Sequence, residues 1–404
     1  MEIKNLEKVA KRIIIAIKNG ERIILYGDAD LDGVSSVIIL KETIKNLNGK
    51  ISAIYFPDRE NEGYGITQKG LDYLKNFSPA LFITMDLGIG NFEEVKIAKK
   101  LGFEVIIIDH HEILDKLPSA SIVVDPKQKG DKYPFKGLAT AGISFKLSRI
   151  LLEEKLTKKL RENFLELVAL ATIADMMPKL EENQLFIEEG FESLRNTWRP
   201  GLKAFFSITE LPKEAKVEKR TKFSLTEDFR NQLNLKEISQ KIISSLNASD
   251  KIDHLNEIYL LLTEKDERAA RELAKKLLEK GEQRRIRIKE IVDEVEEKLF
   301  KKIKEKVIFE GGDTWSLILL GAVASRICQR YQKPTFLFKI GQEESQGSVR
   351  VPGGLDSVKL MQKCSKFLET YGGHPQASGF GIKNKNLEKF KDCLIKYYNP
   401  NTTN

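Results

Sequence analysis

Apolar positions Ile3, Leu6, Val9, Ile13 and Ile14 recur at helical spacing within the first 18 residues, which predicts an opening helix. Beyond it, short apolar runs alternate with amphipathic stretches. Arg22–Tyr26, Leu81–Met85, Glu104–Ile108 and Ser121–Val124 read as buried strands, with a helix expected from about Ser35 after the first of them. After the second, Asn91 reads as a helix N-cap with Glu94 three residues on, and Gly102 as the stop. Strands alternating with helices predict an α/β fold with a mostly parallel sheet covered on both faces. From Gly137 the pattern turns helical, and Phe164, Leu167, Val168, Leu170, Ala171 and Ala174 outline a buried helix ending at Asp175-Met176-Met177-Pro178. A polar stretch over about 207–240 reads as a connection, and 264–306, rich in Glu, Lys and Arg, as long bridging helices. A second α/β body is expected from Val307, with strands at Leu317–Leu320 and Thr335–Lys339.

Composition narrows the class. Hydrophobic residues at 41% and charged residues at 31% of 404 exclude a disordered tail or a collagen-like fibre. Apolar runs such as Trp315–Ala324 fall short of the ~18 residues that span a bilayer, and the first residues lack a signal-type apolar segment, so no membrane partner is expected. Cys328, Cys364 and Cys393 are too few and too scattered for a disulfide framework or a zinc cluster, and the chain is expected to be cytoplasmic. Lys and Arg total 67 against 59 Asp and Glu, a net charge of +8 that tilts the partner list gently toward anions, nucleic acid included.

The candidate chemistry lies just past the ends of the strands. Asp28, Asp30 and Asp32 come after the first, Asp86 after the second, and Asp109, His110 and His111 after the third. In an open parallel sheet such groups gather outside the carboxyl ends of the strands. Carboxylates with imidazole suit Mn²⁺ or Mg²⁺, and a bridging carboxylate can hold two such ions about 3.5–4 Å apart for in-line phosphoryl displacement. A calcium loop starting at Asp28 would want Glu at its twelfth position, where Ile39 stands, and a helix before it, where a strand is expected. Taken singly, an Asp-rich turn or a pair of loop histidines is ordinary; the constellation points to a metal site. Neither a Walker loop nor a dinucleotide glycine fingerprint is present.

Gly27-Asp28-Ala29-Asp30-Leu31-Asp32-Gly33, Met85-Asp86-Leu87-Gly88, Asp109-His110-His111 and Thr172-Ile173-Ala174-Asp175-Met176-Met177-Pro178 resemble the four ordered motifs of the DHH phosphoesterase superfamily, in the forms of its RecJ-like, single-strand-specific branch. Glu62-Gly63-Tyr64-Gly65 and Ala324-Ser325-Arg326 resemble the same branch. Gly347-Ser348-Val349-Arg350 and the segment Gly372-Gly373-His374 to Gly379 are similar to the DHH-associated domain. The resemblance implies a parallel-sheet DHH catalytic domain over 1–205, connecting segment and long helices over 206–306, and a smaller α/β DHH-associated domain over 307–404. It implies Asp30, Asp32, Asp86, His110 and Asp175 as ligands of two Mn²⁺ or Mg²⁺ ions, with Asp86 bridging and Asp28 a further ligand or a supporting group. His111 would face the scissile phosphate and Asp109 would steady the histidines, while Arg326, Ser348, Arg350, Gly372, Gly373 and His374 would grip the substrate.

The implied activity is hydrolysis of single-stranded DNA, and of RNA as a second candidate, to nucleoside monophosphates, with replication or repair proteins as candidate partners. Rival readings are a phosphodiesterase for short oligonucleotides or cyclic dinucleotides, and a non-catalytic replication scaffold. The branch's usual Asn-Arg is Asn183-Gln184 here, its Asn-Ala-x-Gly-Arg is Asn247-Ala248-Ser249-Asp250-Lys251, and Val351 replaces a usual Ser, departures on the substrate side. The chain is also expected to lack the nucleic-acid-binding barrel that larger bacterial members append.

Overall fold

The computed structural model describes residues 2–113, 116–209, 242–246, 249–300 and 305–398. Most of the stretch read as a connection, and Asn247-Ala248, lie outside the described residues. The chain divides into two compact units, Met1–Gly281 and Glu282–Asn404.

In the first unit, five strands, β1 (Ile23–Gly27), β2 (Ile51–Tyr55), β3 (Ala80–Met85), β4 (Phe103–Ile108) and β5 (Ile122–Val124), form one all-parallel sheet in the order β2-β1-β3-β4-β5. The strand β2 is absent from the sequence expectations. It is an edge strand whose residues are mostly half-exposed, so it lacks the continuous apolar run that marks the central strands. Alternate residues feed separate cores, as the two-residue period of a strand demands. Ile23, Leu25, Leu81, Ile83, Met85, Ile106 and Ile108 pack on one face against α1 (Leu6–Lys18), α2 (Leu31–Asn46), α5 (Thr140–Leu152) and α6 (Lys158–Ala174). Ile24, Tyr26, Phe82, Val105 and Ile107 pack on the other against α3 (Gln68–Leu74) and α4 (Phe92–Lys100).

Local rules set several helix ends. The helix α2 begins at Leu31, ahead of the expected Ser35, because the Asp30 side chain caps it by accepting from the Asp32 and Gly33 amides at 3.1 and 3.0 Å. Asn91 precedes α4, but its Oδ1 accepts from the Ile66 amide at 3.0 Å and its Nδ2 donates to Glu94 at 3.2 Å, so its side chain does not cap the helix. Further on come α7 (Glu181–Leu194), α8 (Pro200–Ile208), a short hairpin of β6 (Lys251–Ile252) and β7 (Leu255–Asn256), and α9 (Glu257–Thr263). Among the described residues of 264–306, one helix, α10 (Glu267–Leu299), takes the place of the several expected.

The second unit holds a mixed five-stranded sheet in the order β11-β12-β10-β9-β8, built from β8 (Ile308–Gly312), β9 (Thr335–Ile340), β10 (Glu344–Arg350), β11 (Thr370–His374) and β12 (Ala377–Lys383). Only β8 and β9 pair in parallel. The expected strand Leu317–Leu320 is instead the start of a helix, α11 (Leu317–Tyr331). Its buried residues Leu319, Leu320, Val323, Ala324, Ile327 and Cys328 keep to helical spacing, and a four-residue apolar run cannot distinguish the two periods. The helices α12 (Ser357–Lys363) and α13 (Leu387–Tyr397) complete the unit. Cys364 and Cys393, separated by 29 residues, form a disulfide, which corrects the expectation from cysteine number; buried Cys328 is free. Among the described residues, no helix is long and apolar enough to cross a membrane.

Candidate metal centre and substrate face

In the order β2-β1-β3-β4-β5 the sheet reverses direction of growth between β1 and β3, and the loops leaving those strands border a crevice. Asp28, Asp30 and Asp32 leave β1 there, Asp86 leaves β3 and Asp109-His110-His111 leaves β4. Close backbone approach shapes the first loop: a Cβ on Gly33 would lie 2.5 Å from the Asp28 carbonyl oxygen. Asp86 holds a left-handed backbone with φ of 66°, which Asp and Asn tolerate better than most residues.

His110 Nε2 stands 3.2 Å from Asp86 Oδ1, 3.3 Å from Asp175 Oδ2 and 3.7 Å from Asp32 Oδ2. Its Nδ1 lies 3.1 Å from the Leu138 carbonyl oxygen, which can only accept, so the proton sits on Nδ1 and Nε2 keeps its lone pair toward the carboxylates. Asp32 accepts from the Thr140 and Ala141 amides at 2.8 Å each, at the start of α5, and Thr140 Oγ1 donates to Asp86 at 3.0 Å. Ligand atoms of Asp28, Asp30 and Asp86 lie within 4.8 Å of one another, as do those of Asp32, His110 and Asp175, and those of Asp86, Asp109 and His111. Asp86 therefore belongs to two of these three groups.

Electrostatics makes this crowding costly in the absence of a cation. Burial, then the charge of Asp30, push the Asp32 carboxyl up to about 7. Burial and the neighbouring carboxylates Asp32 and Asp30 raise both Asp86 and Asp175 well above the usual range. Asp28 is raised by burial despite the opposing pull of Arg59. Asp30 moves the other way: burial would raise it, but Arg59 and the Gly33 amide outweigh that and lower it. A hard, oxygen-seeking dication matches this set of carboxylate oxygens and one oriented imidazole nitrogen, and it would offset the repulsion.

Beside the carboxylates, His111 Nδ1 lies 2.7 Å from Asp109 Oδ1, and His111 Nε2 lies 3.2 Å from the Tyr64 hydroxyl. Burial disfavours the imidazolium, but the Asp109 carboxylate and its hydrogen bond prevail and push His111 up to about 9. Asp109 Oδ1 also accepts from the His110 and His111 amides, and its Oδ2 from the Ile89 amide at 3.0 Å, which fixes the carboxylate on every side.

Sequence reasoning passes over several residues here. Arg59 donates from Nε to Asp28 Oδ1 at 2.8 Å, from a terminal nitrogen to Asp28 Oδ2, and to Asp30 Oδ2 at 2.9 Å. Leu138, Thr140 and Ala141 act through backbone or hydroxyl, and their only sequence signal is the small-residue run after Gly137. Asn183, beside the Gln184 that stands in place of the usual Arg, is buried and donates to the Gly137 and Pro178 carbonyls at 2.6 and 2.9 Å, tying that run to the Asp175 turn. Among the large aromatics, Trp315 is buried, whereas Tyr64 and Trp198 are exposed.

In the second unit, Ser348 and Arg350 lie on β10, which pairs with β12, and the Gly372-Gly373-His374 segment lies on β11 at the far side of β12. Arg350 passes over α11 where Gly321 stands, and a Cβ there would come within 2.9 Å of the guanidinium. Gly373 has φ of 129° and a Cβ on it would meet the Ala377 carbonyl oxygen at 2.7 Å, whereas Gly372 faces open space. Arg326 is exposed on α11. On α10, Arg285 pairs with Glu282 and Arg287 with Glu290, so those charges are engaged along their own helix.

A model described as the DHH family, N-terminal domain, matches residues 22–172, and one described as the DHHA1 domain matches residues 304–399. The single-stranded-DNA-specific exonuclease RecJ of Bacillus subtilis is 33% identical over 396 residues, covering 97% of this chain and 48% of that protein. The chain is a RecJ-like member of the DHH superfamily. A crystal structure of exonuclease RecJ bound to manganese has a TM-score of 0.73 and 25% identity, with coverage of 98% of this chain and 95% of that one. RecJ in complex with Mn²⁺ from Thermus thermophilus has a TM-score of 0.78 at 23% identity, covering 98% and 55%, a likeness of fold. This RecJ-like chain thus spans about half the length of the Bacillus relative.

Proposed function

We propose that this chain is a Mn²⁺- or Mg²⁺-dependent exonuclease that releases nucleoside monophosphates from single-stranded DNA, with RNA as a second substrate to be tested. The observation that carries the reading is the place of Asp86 in two adjoining groups of ligand atoms, one with Asp28 and Asp30, the other with Asp109 and His111, next to the Asp32–His110–Asp175 group. The names of the RecJ relatives supply the substrate class. The division of labour proposed is a DHH catalytic domain over 1–205, connecting elements over 206–306 and a substrate-binding domain over 307–404.

Asp30, Asp32, Asp86, His110 and Asp175 would hold two divalent cations, with Asp28 as a further ligand or support. The chemistry bound cations supply is Lewis-acid activation of water and of the scissile phosphate. The chain's own contribution starts with Leu138, whose carbonyl holds His110 in the tautomer that presents Nε2. The Thr140 and Ala141 amides keep Asp32 in place. His111, whose imidazolium the Asp109 carboxylate favours, would meet the anionic phosphate and give a proton to the leaving oxygen. Arg326, Ser348, Arg350, His374 and the backbone of Gly372 and Gly373 would hold neighbouring phosphates.

The test uses purified protein, Mn²⁺ and short synthetic DNA and RNA strands labelled at the 5′ or the 3′ end. Early release of labelled mononucleotide from one end only supports the proposal and reports the polarity. Intact strands beside cleaved di- and trinucleotides would move the assignment to a short-oligonucleotide phosphodiesterase. Cleavage of neither, together with no Mn²⁺ binding in a titration, would make the chain a scaffold.

A further inference from the structure

Arg59 and Tyr64, which reach Asp28, Asp30 and His111, belong to no regular element. Both lie on the loop between β2 and α3, where Asp58 accepts from the Glu60 and Asn61 amides at 3.0 and 3.1 Å, Asn91 Oδ1 from the Ile66 amide at 3.0 Å and the Gly65 carbonyl from the Tyr26 hydroxyl at 3.2 Å. Gly63 and Gly65 each hold φ of 89°, so the backbone around Tyr64 has conformations that need fixing from outside. Glu62 points inward, and its side chain is only 1% exposed. Glu62 Oε2 accepts from the Tyr55 hydroxyl at 2.8 Å and from Thr67 Oγ1 at 3.1 Å. Its Oε1 accepts from Lys251 Nζ at 2.6 Å, and Lys69 approaches only to 3.6 Å from the solvent side.

Lys251 comes from a distant part of the chain. Its ammonium also donates to the Tyr55 hydroxyl at 2.8 Å and lies 3.9 Å from the centre of the Tyr55 ring, and its side chain is 10% exposed. The hairpin that bears it is braced against both loops of the site. The His254 carbonyl accepts from the Phe56 amide at 3.0 Å, and Asn256 Nδ2 donates to the Ala29 carbonyl, inside the Asp28–Asp32 loop, at 3.0 Å. Burial opposes ionisation of Glu62, but Lys251 and Tyr55 outweigh it and keep the group a carboxylate.

We infer that Lys251 is a positioning residue: through Glu62 and Tyr55 it latches the 56–67 loop so that Arg59 and Tyr64 stand over the metal-binding carboxylates and His111. The inference rests on the proposed nuclease reading for its kinetic consequence and not for its structural one. A latch acting through another residue affects the organisation of the site more than the grip on substrate.

The experiment compares Lys251→Met, Lys251→Arg and Glu62→Gln with the wild-type chain. Hydrogen exchange of the loop amides, read without metal or substrate, should speed up roughly tenfold or more in Lys251→Met and Glu62→Gln, and Lys251→Arg should stay near wild type. In the Mn²⁺ assay the first two variants should lose roughly tenfold to hundredfold in kcat with little change in KM, counted per folded molecule, and Lys251→Arg should restore it. Unchanged exchange in Lys251→Met would overturn the latch, whatever the enzyme does. A rise in KM alone would also overturn it, by placing the lysine on the substrate. Faster exchange in these two variants, with a wild-type chain that cleaves no phosphodiester, would leave the latch standing and remove the nuclease reading.

Discussion

At the carboxyl edge of the parallel sheet, Asp28, Asp32, Asp86, Asp109 and His110 are each 1% exposed or less, whereas in the second unit Arg326 is exposed and Gly372, Gly373 and His374 are half-buried. The first is rich in anions that can meet a phosphate only through a cation, the second in groups that can meet it directly, so they solve opposite problems. Buried carboxylates that raise one another's pKa are tolerable only with a compensating cation or proton. Solvated arginines cost little to keep charged and can engage a polyanion by exchanging its counterions. The first arrangement therefore favours chemistry that depends on a metal, and the second favours binding that depends on salt.

The contrast is most exposed to refutation at Asp86. Replacing it by Asn keeps a residue suited to the left-handed backbone, so Asp86→Asn should fold while losing roughly a thousandfold or more in kcat/KM. Without metal it should be more thermostable than wild type at pH 8, because a buried charge is gone; a variant that keeps near-normal turnover would break the assignment. Next in size, His111→Gln should cost roughly 10²–10⁴-fold in kcat while Mn²⁺ binding persists in a titration. Loss of the metal with the histidine would make it a ligand instead.

Arg350→Ala should raise KM roughly tenfold and reduce the slope of log affinity against log salt by about 1, with kcat little changed. An unchanged salt slope would remove Arg350 from the substrate face. A pH series sharpens the other side of the comparison. The Asp32 carboxyl sits at about 7 when folded against an ordinary value of roughly 3.9 when unfolded, so the native state binds more protons across that window. Stability without metal should accordingly fall as pH rises from about 4 to 7, and the gain in Tm on adding Mn²⁺ should be larger at pH 8 than at pH 5.5. An equal gain at both would mean that the carboxylates are not what the cation relieves. Smallest of all, Gly373→Ala should cost about 1–3 kcal/mol through its strained φ, and Gly372→Ala a few tenths, as read by denaturant melts.

The strands that bear the acidic motifs were legible because fully buried parallel strands read as unbroken apolar runs, and Asp or His at their ends breaks the pattern sharply. The edge strand β2, half-exposed, offered no such run. Leu317–Leu320 was ambiguous for the converse reason: four apolar residues satisfy a strand and a helix alike, and only packing of α11 on the second sheet chose between them. The disulfide was beyond reach, since cysteine counts say nothing about whether Cys364 at the end of α12 meets Cys393 on α13.

By itself the sequence determined the residue types that can bind a hard cation, their order along the chain and the strand ends on which they sit, because periodicity and chemical type are local properties. Only the tertiary structure decided which of them share a centre and what orients each. The Leu138 carbonyl, the Thr140 and Ala141 amides, Arg59 and the Lys251–Glu62 pair reach the site from loops, the first turn of α5 and a two-residue hairpin strand, none with a periodic signature. Hydrogen bonds to backbone atoms leave little trace in side-chain identity, and partners 108 or 189 residues apart meet only when the sheet and hairpin bring their loops together.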